Sequence, residues 1–177
     1  MKKENAIRGR ILVIQDLDGK QIDNIDTDMI FHNKHLAITN IDEMGQYIFG
    51  NLDNWEDFPQ KVEKGDIVVV GKNFGSGSSR QQAVDGFIAL GVSAIIGESF
   101  GAIYWRNAVN AGLPVIRADG IMQSDLKSEE NIEVDFASGE ISRVADEEVL
   151  FKAEPMSRVQ IEMYKAGGLF EYSKEII

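Results

Sequence analysis

An α/β fold on a partly parallel sheet is predicted by three features of the sequence. Over residues 66–116, short apolar runs alternate with helical stretches in the order β-α-β-α-β, a pattern that packs helices against a parallel sheet. Both helical stretches leave through a glycine, Gly91 and Gly112, a common way to stop a helix. Further on, "NIEVDF" and "EISRVA" flank "ASG", which predicts an antiparallel hairpin.

The elements follow in chain order. "GRILVIQDL" (9–17) has a continuous apolar centre and predicts a buried strand. "DGKQIDNIDTD" (18–28) is rich in Asp, Asn and Gly and predicts turns. "TNIDEMGQYIF" (39–49) suits a helix capped by Thr39 or Asn40, with Ile41, Met44, Tyr47 and Ile48 on one face. A short helix ending near Pro59 is expected within residues 51–65. "DIVVVG" (66–71) predicts a strand and "SRQQAVDGFIAL" (79–90) a helix, with Ser79 and Gln82 in capping-box spacing. "SAIIG" (93–97), "SFGAIYWRNAVNAG" (99–112) and "LPVI" (113–116) complete the alternation as strand, helix and strand. "SRVQIEMYKAGG" (157–168) predicts a closing helix after the hairpin. No repeat, low-complexity segment or linker interrupts the chain, so one domain over residues 1–177 is expected.

Composition narrows the function. The chain has 177 residues, 44% of them hydrophobic and 27% charged, the make-up of an ordinary globular protein. No apolar run approaches the roughly 20 residues of a membrane span. The start, "MKKENAIRGR", is basic without an apolar signal core, so a cytoplasmic location and no membrane partner are expected. The absence of cysteine excludes thiolate zinc sites and cysteine-held iron–sulfur clusters within the chain. A net charge of −11 repels nucleic-acid phosphate, so no nucleic-acid partner is expected. It also repels small anions, unless cations are gathered at the place where an anion binds.

"NFGSGSSRQQA" (73–83) is such a place. It lacks the Lys-Ser/Thr of a P-loop, since Gly77 is followed by Ser78 and Ser79. It starts a G-x-G-x-x-G fingerprint, but Arg80 stands where the third glycine belongs. It contains no G-x-S-x-G elbow. Gly75 and Gly77 let the backbone turn sharply and present its N–H groups. A helix starting near Ser79 adds its positive end, and Arg80 adds a planar fork suited to a carboxylate. The pattern reads as an anion site with a hydroxyl at its centre. The alternative is that Ser78 and Ser79 only cap the helix and Arg80 is solvated. His32 and His35 are assigned no metal.

These residues carry a resemblance. Residues 71–116 are similar to the swivel domain of the aconitase superfamily. "NIDTDMIFHNKHL" (24–36) resembles the signature of that superfamily's separate small subunits, those of 3-isopropylmalate dehydratase and its relatives. The two motifs stand in the order and spacing of that family. One departure is Gln81, where the family usually has glutamate after Ser-Ser-Arg.

The resemblance implies a single swivel-type β/β/α domain that ends in a β-hairpin plus helix. It implies a hydro-lyase small subunit that isomerises a hydroxy dicarboxylic acid by dehydration and rehydration, foremost 2-isopropylmalate to 3-isopropylmalate in leucine biosynthesis. Related substrates of the 2,3-dimethylmalate or homoaconitate type, and a non-catalytic anion-binding module, are the alternatives. Activity is expected only with a large subunit, in a heterodimer or heterotetramer, and that partner is expected to hold a [4Fe–4S] cluster. By the same resemblance Ser78 is the base, and Ser79 and Arg80 contact the substrate carboxylate. Asp28, Lys34, Leu36 and Ala37 are expected to bind substrate, the last three on the loop 30–39 that is expected to line the pocket for the substrate's variable group. Leu36-Ala37-Ile38 favours a branched apolar group there. A serine base is demanding, because each pKa unit of depression needs about 1.4 kcal/mol and a helix end supplies only about 0.3–1 kcal/mol. Backbone donors from the Gly75–Gly77 turn, Arg80 and a dry site must therefore act together.

Overall fold

The computed structural model describes residues 5–176. The elements run β1 (Ala6–Val13), α1 (Thr27–Ile30), α2 (Ile41–Met44), α3 (Phe58–Lys61), β2 (Ile67–Val70), α4 (Gln82–Ala89), β3 (Ala94–Gly97), α5 (Ala102–Asn110), β4 (Val115–Arg117), β5 (Asn131–Asp135), β6 (Glu140–Arg143), β7 (Val149–Lys152), α6 (Arg158–Ala166) and α7 (Leu169–Ile176). They build one seven-stranded sheet in the order β4-β3-β2-β1-β5-β6-β7. β1 to β4 are parallel, while β1, β5, β6 and β7 pair antiparallel. The α/β class, the partly parallel sheet and the C-terminal hairpin are as the sequence predicts.

Successive side chains of a strand face opposite ways, and the buried run Ile67–Val70 shows the consequence. Val68 and Val70 enter a core beneath α4 and α5, with Phe49, Phe58, Phe74 and Phe87. Ile67 and Val69 enter a second core with Ile132, Val134, Phe136 and Ile141, against which α6 packs Ile161 and Tyr164. A strand covered on both faces reads as an unbroken apolar run. Among the described residues, no helix is long and apolar enough to cross a membrane.

Several local expectations are corrected. β1 begins at Ala6 and ends at Val13, before Ile14. Residues 18–28 are turns only up to Asp26, whose Oδ1 accepts the N–H groups of Asp28 and Met29 (2.8 Å each) and caps α1. The helix expected over 39–49 is α2, capped by Asn40, followed by a 3-10 turn at Gly45–Tyr47. It stops because Ile48 and Phe49 are drawn into the core and Phe49 N–H donates to Ile30 O at 2.8 Å. Pro59 opens α3 rather than closing a helix, a position where its missing N–H does no harm. α4 starts at Gln82, not Ser79, and the capping box is not formed: Ser79 Oγ instead accepts from Asn107 Nδ2 (3.2 Å), and the Gln82 amide reaches Leu36 O (3.3 Å). The second helix likewise starts at Ala102 with no serine cap. A capping box does form at α6, between Ser157 and Gln160. β7 and α7 are additional elements that the sequence pattern does not predict.

Candidate functional site

In open α/β sheets, ligands bind beyond the carboxyl ends of parallel strands, and the Gly–Ser turn lies there, directly after β2. Two neighbours hold it. On one side Phe74 N–H donates to Ser99 O (3.0 Å) and Phe74 O accepts from Gly101 N–H (2.8 Å). On the other, Gly75 N–H donates to Ile25 O (2.7 Å) and Ser76 O accepts from Thr27 N–H (2.9 Å). Gly75 has φ +72°, and a Cβ there would stand 2.2 Å from Tyr104 Cγ, so only glycine fits. Gly77, with φ +99°, turns the chain outward again.

Beyond that clamp the backbone amides change character. From residue 77 to 82, none of the N–H groups has an acceptor among the described residues, whereas Ser76 pairs with Asp26 in a parallel bridge. Successive unpaired backbone amides are a feature of anion-binding turns. Gly77, Ser78 and Ser79 are exposed beside it, and the Ser78 hydroxyl has no protein partner among the described residues.

Arg80 lies against this turn and is fixed. Its Nη1 donates to Asp28 Oδ1 (2.6 Å) and to Phe31 O (2.9 Å). Asp28 Oδ1 also accepts from Asn33 N–H (3.0 Å), and Oδ2 accepts from Asn51 Nδ2 (3.1 Å). The Arg80 hydrogen bond holds the Asp28 carboxyl below the usual carboxylate range, against the opposing effect of burial. The Arg80 side chain is only 14% exposed, and its Nε and Nη2 edge has no acceptor among the described residues. The site therefore combines a part-buried, oriented guanidinium, a row of amides and one exposed hydroxyl.

The 33–38 loop borders the turn. His32 Nδ1 accepts from Lys34 N–H (3.1 Å), and His35 stacks on Tyr47 at 4.0 Å. Burial lowers the His35 pKa, and Lys34 and His32 push the same way. Gln82 ties the loop to α4 through Leu36 O, leaving Lys34, Leu36 and Ala37 exposed. Gln81 donates to Asp85 Oδ1 (2.8 Å), while burial pushes the Asp85 carboxyl up. Glutamate at 81 would set two carboxylates one helical turn apart, an unfavourable spacing, so glutamine suits an acidic residue at 85.

The structure thus joins Gly75, Gly77, Ser78, Ser79, Arg80 and Asp28 in one place, with Leu36 linked through Gln82; Gly75, however, is buried and its N–H is taken by Ile25 O, so it shapes the turn instead of donating to a ligand. Lys34 and Ala37 lie on the same loop without a bond to the turn. Asn51 and Asn107 act across distant stretches of chain, and nothing local marks them. Gln82 has a local signal, the capping-box spacing, but it points to a different role. Among the described residues no group of three or more His, Cys, Asp or Glu is arranged to hold a metal ion.

The sequence model of the aconitase C-terminal domain family matches residues 2–119. The isopropylmalate/citramalate isomerase small subunit of Methanocaldococcus jannaschii is 42% identical over 152 residues, covering 86% of this chain and 88% of that protein. The 3-isopropylmalate dehydratase small subunit of Caldicellulosiruptor bescii is 39% identical over 155 residues, covering 88% and 91%. A crystal structure of 3-isopropylmalate dehydratase from Methanocaldococcus jannaschii superposes with a TM-score of 0.82 at 34% identity, over 97% of this chain and 95% of that one.

Proposed function

This chain belongs to the aconitase C-terminal domain family, and from that premise we propose that it is the small subunit of a cytoplasmic hydro-lyase converting 2-isopropylmalate to 3-isopropylmalate in leucine biosynthesis. Its 177 residues are read as one swivel domain. The observation that carries the reading is Arg80, fixed by Asp28 beside the open amides of residues 77–82 and the exposed Ser78 hydroxyl.

The roles given to these groups are those that the family resemblance implies, and their geometry supports them. The Nε/Nη2 edge of Arg80 takes one substrate carboxylate in two parallel charge-assisted bonds. Asp28 positions the guanidinium rather than touching substrate, because both its oxygens are occupied. Ser78 Oγ takes the proton from the carbon next to that carboxylate and returns it to the neighbouring carbon on rehydration. Negative charge that builds up on the carboxylate is met by Arg80 and the amides, which are already in place and need no reorganisation. Ser79, held by Asn107, adds a hydroxyl beside them.

A [4Fe–4S] cluster would assist departure of the substrate hydroxyl, but this chain does not fit such a group. It has no cysteine and no acid or imidazole cluster among the described residues. The cluster is assigned to a large subunit, which also closes the exposed half of the site, in a heterodimer or heterotetramer. The exposed Leu36 and Ala37 favour an apolar substituent on the substrate. Lys34, exposed on the same loop, supports a second reading in which that substituent carries a further carboxylate, as in homoaconitate.

Co-purification with a cluster-bearing large subunit, followed by assay on 2-isopropylmalate, tests this. Turnover by the complex is expected. No complex, or a complex that binds the dicarboxylate without turning it over, would overturn the reading and leave an anion-binding module.

A further inference from the structure

α5 lies beside the Ser78 turn and has an inner and an outer face. The inner face of this helix supports the turn: the Tyr104 ring packs against Gly75, its hydroxyl donates to Ala83 O (3.1 Å), and Asn107 donates to Ser79 Oγ (3.2 Å). The outer face carries Ala102, Ile103 and Arg106, all exposed, with Ile103 40% exposed. Beside them opens a cavity of about 380 Å³ lined by Phe100, Ala102, Trp105, Arg117 and Glu154. The Phe100 and Trp105 rings meet edge-on there, with centroids 5.3 Å apart.

Arg106 is set apart by its charge environment. Every other arginine among the described residues has a carboxylate within 4.0 Å: Arg8, Arg10, Arg80, Arg117, Arg143 and Arg158. Arg106 has none, in a chain whose net charge is −11. Acidic residues are plentiful here, so a lone arginine on an exposed, partly apolar helix face calls for a carboxylate from outside the chain. Aromatic side chains and arginine are also the types enriched at protein interfaces.

We propose that the α5 face formed by Ala102, Ile103 and Arg106, with the Phe100–Trp105 cavity, docks the large subunit through an acidic segment bearing an apolar side chain. The carboxylate pairs with Arg106 and the apolar group enters the aromatic cavity. This rests on the small-subunit reading above. The occupant is the large subunit because this face continues directly from the half-site that it must close, through the Asn107–Ser79 bond.

The test titrates the cluster-bearing large subunit onto wild type, Arg106→Glu, Arg106→Gln, Ile103→Asp and, as a control on the far edge of the sheet, Val149→Asp. Circular dichroism verifies folding of each. The expected result is about a tenfold or greater rise in Kd for Arg106→Glu and Ile103→Asp, with kcat at saturating large subunit within about twofold of wild type and the control unchanged. Raising salt from about 0.05 to 0.5 M should weaken wild type more than Arg106→Gln, because the screened pair is missing from the variant. Equal Kd in wild type and the α5 variants overturns the docking proposal, and so does a loss of kcat at unchanged Kd. Failure of the wild type itself to bind overturns the small-subunit reading, and this proposal with it.

Discussion

Ser78 is exposed and its hydroxyl has no protein partner among the described residues, so removing it should change chemistry and leave folding alone. Ser78→Ala in the assembled enzyme is expected to lower kcat well beyond tenfold, the equivalent of about 1.4 kcal/mol in the barrier. Its melting temperature should match wild type. A kcat above a tenth of wild type would place the base elsewhere. Asp28 acts through Arg80, so Asp28→Asn should raise KM for the dicarboxylate more than it lowers kcat. Its pH dependence has a definite sign. The Asp28 pKa is depressed in the folded state, chiefly by Arg80. Its contribution to stability is therefore present above the unfolded carboxyl pKa of about 3.9 and lost as pH falls through the lower folded value. The stability gap between wild type and Asp28→Asn should be constant near neutrality and close in acid. Denaturation midpoints measured down the pH scale would show this, and a gap that widens in acid would contradict the assignment. At this scale the sequence was half legible. Gly75, Gly77, Ser78 and Arg80 crowd into one stretch and announce an anion site. Asp28 and Asn51 reach Arg80 only through the folded chain, and no local spacing predicts that.

The turn is usable because two elements clamp it, and the clamp rests on glycine. Gly75→Ala places a Cβ 2.2 Å from Tyr104 Cγ and holds an alanine at φ +72°, a backbone penalty of about 1–2 kcal/mol before any steric term. α5 must then move, carrying Asn107 away from Ser79. Both the denaturation midpoint and kcat/KM should fall. A variant with full stability would mean that the turn tolerates a side chain and is not built as described. The 33–38 loop makes a separate prediction. Ala37→Arg, on an exposed position, should lower kcat/KM for isopropylmalate relative to homoaconitate, because an arginine fills the alkyl space and pairs an added carboxylate. An unmoved ratio in a folded, assembled variant would remove the loop from substrate choice. Elements with a strong period were readable: β2 and β3 as unbroken apolar runs, α5 by its exit glycine, α6 by its serine start. The sequence places α4 three residues early because Ser79 and Gln82 match a capping box, whereas both side chains are taken by distant partners. β7 was missed because "ADEEVLFK" (145–152) is acidic at its start and pairs with β6 across a register shift.

Across the whole molecule, charge and cover decide whether the site can work. The chain carries −11 and would bind a dianion only where Arg80 and the amides overcome that field. Gly77, Ser78, Ser79, Leu36 and Ala37 all face solvent, so water competes for each donor, and exposed charge pairs are worth only about 0–1 kcal/mol. Excluding water strengthens every electrostatic contact in the site, and nothing among the described residues covers these positions. Lowering the pKa of a serine hydroxyl by several units needs about 1.4 kcal/mol per unit, which an open site does not supply. The isolated chain is therefore expected to be colourless, to bind isopropylmalate no tighter than about 1 mM, and to show no dehydration or hydration activity. Titrating in the cluster-bearing large subunit should restore turnover in proportion to complex formed, with dicarboxylate affinity rising at the same stoichiometric point. Calorimetry on the isolated chain and activity along the titration make the comparison. Turnover by the chain alone, or tight dicarboxylate binding without the partner, would mean that the Ser78 turn is already a closed site and that the large subunit serves some purpose other than excluding water from it.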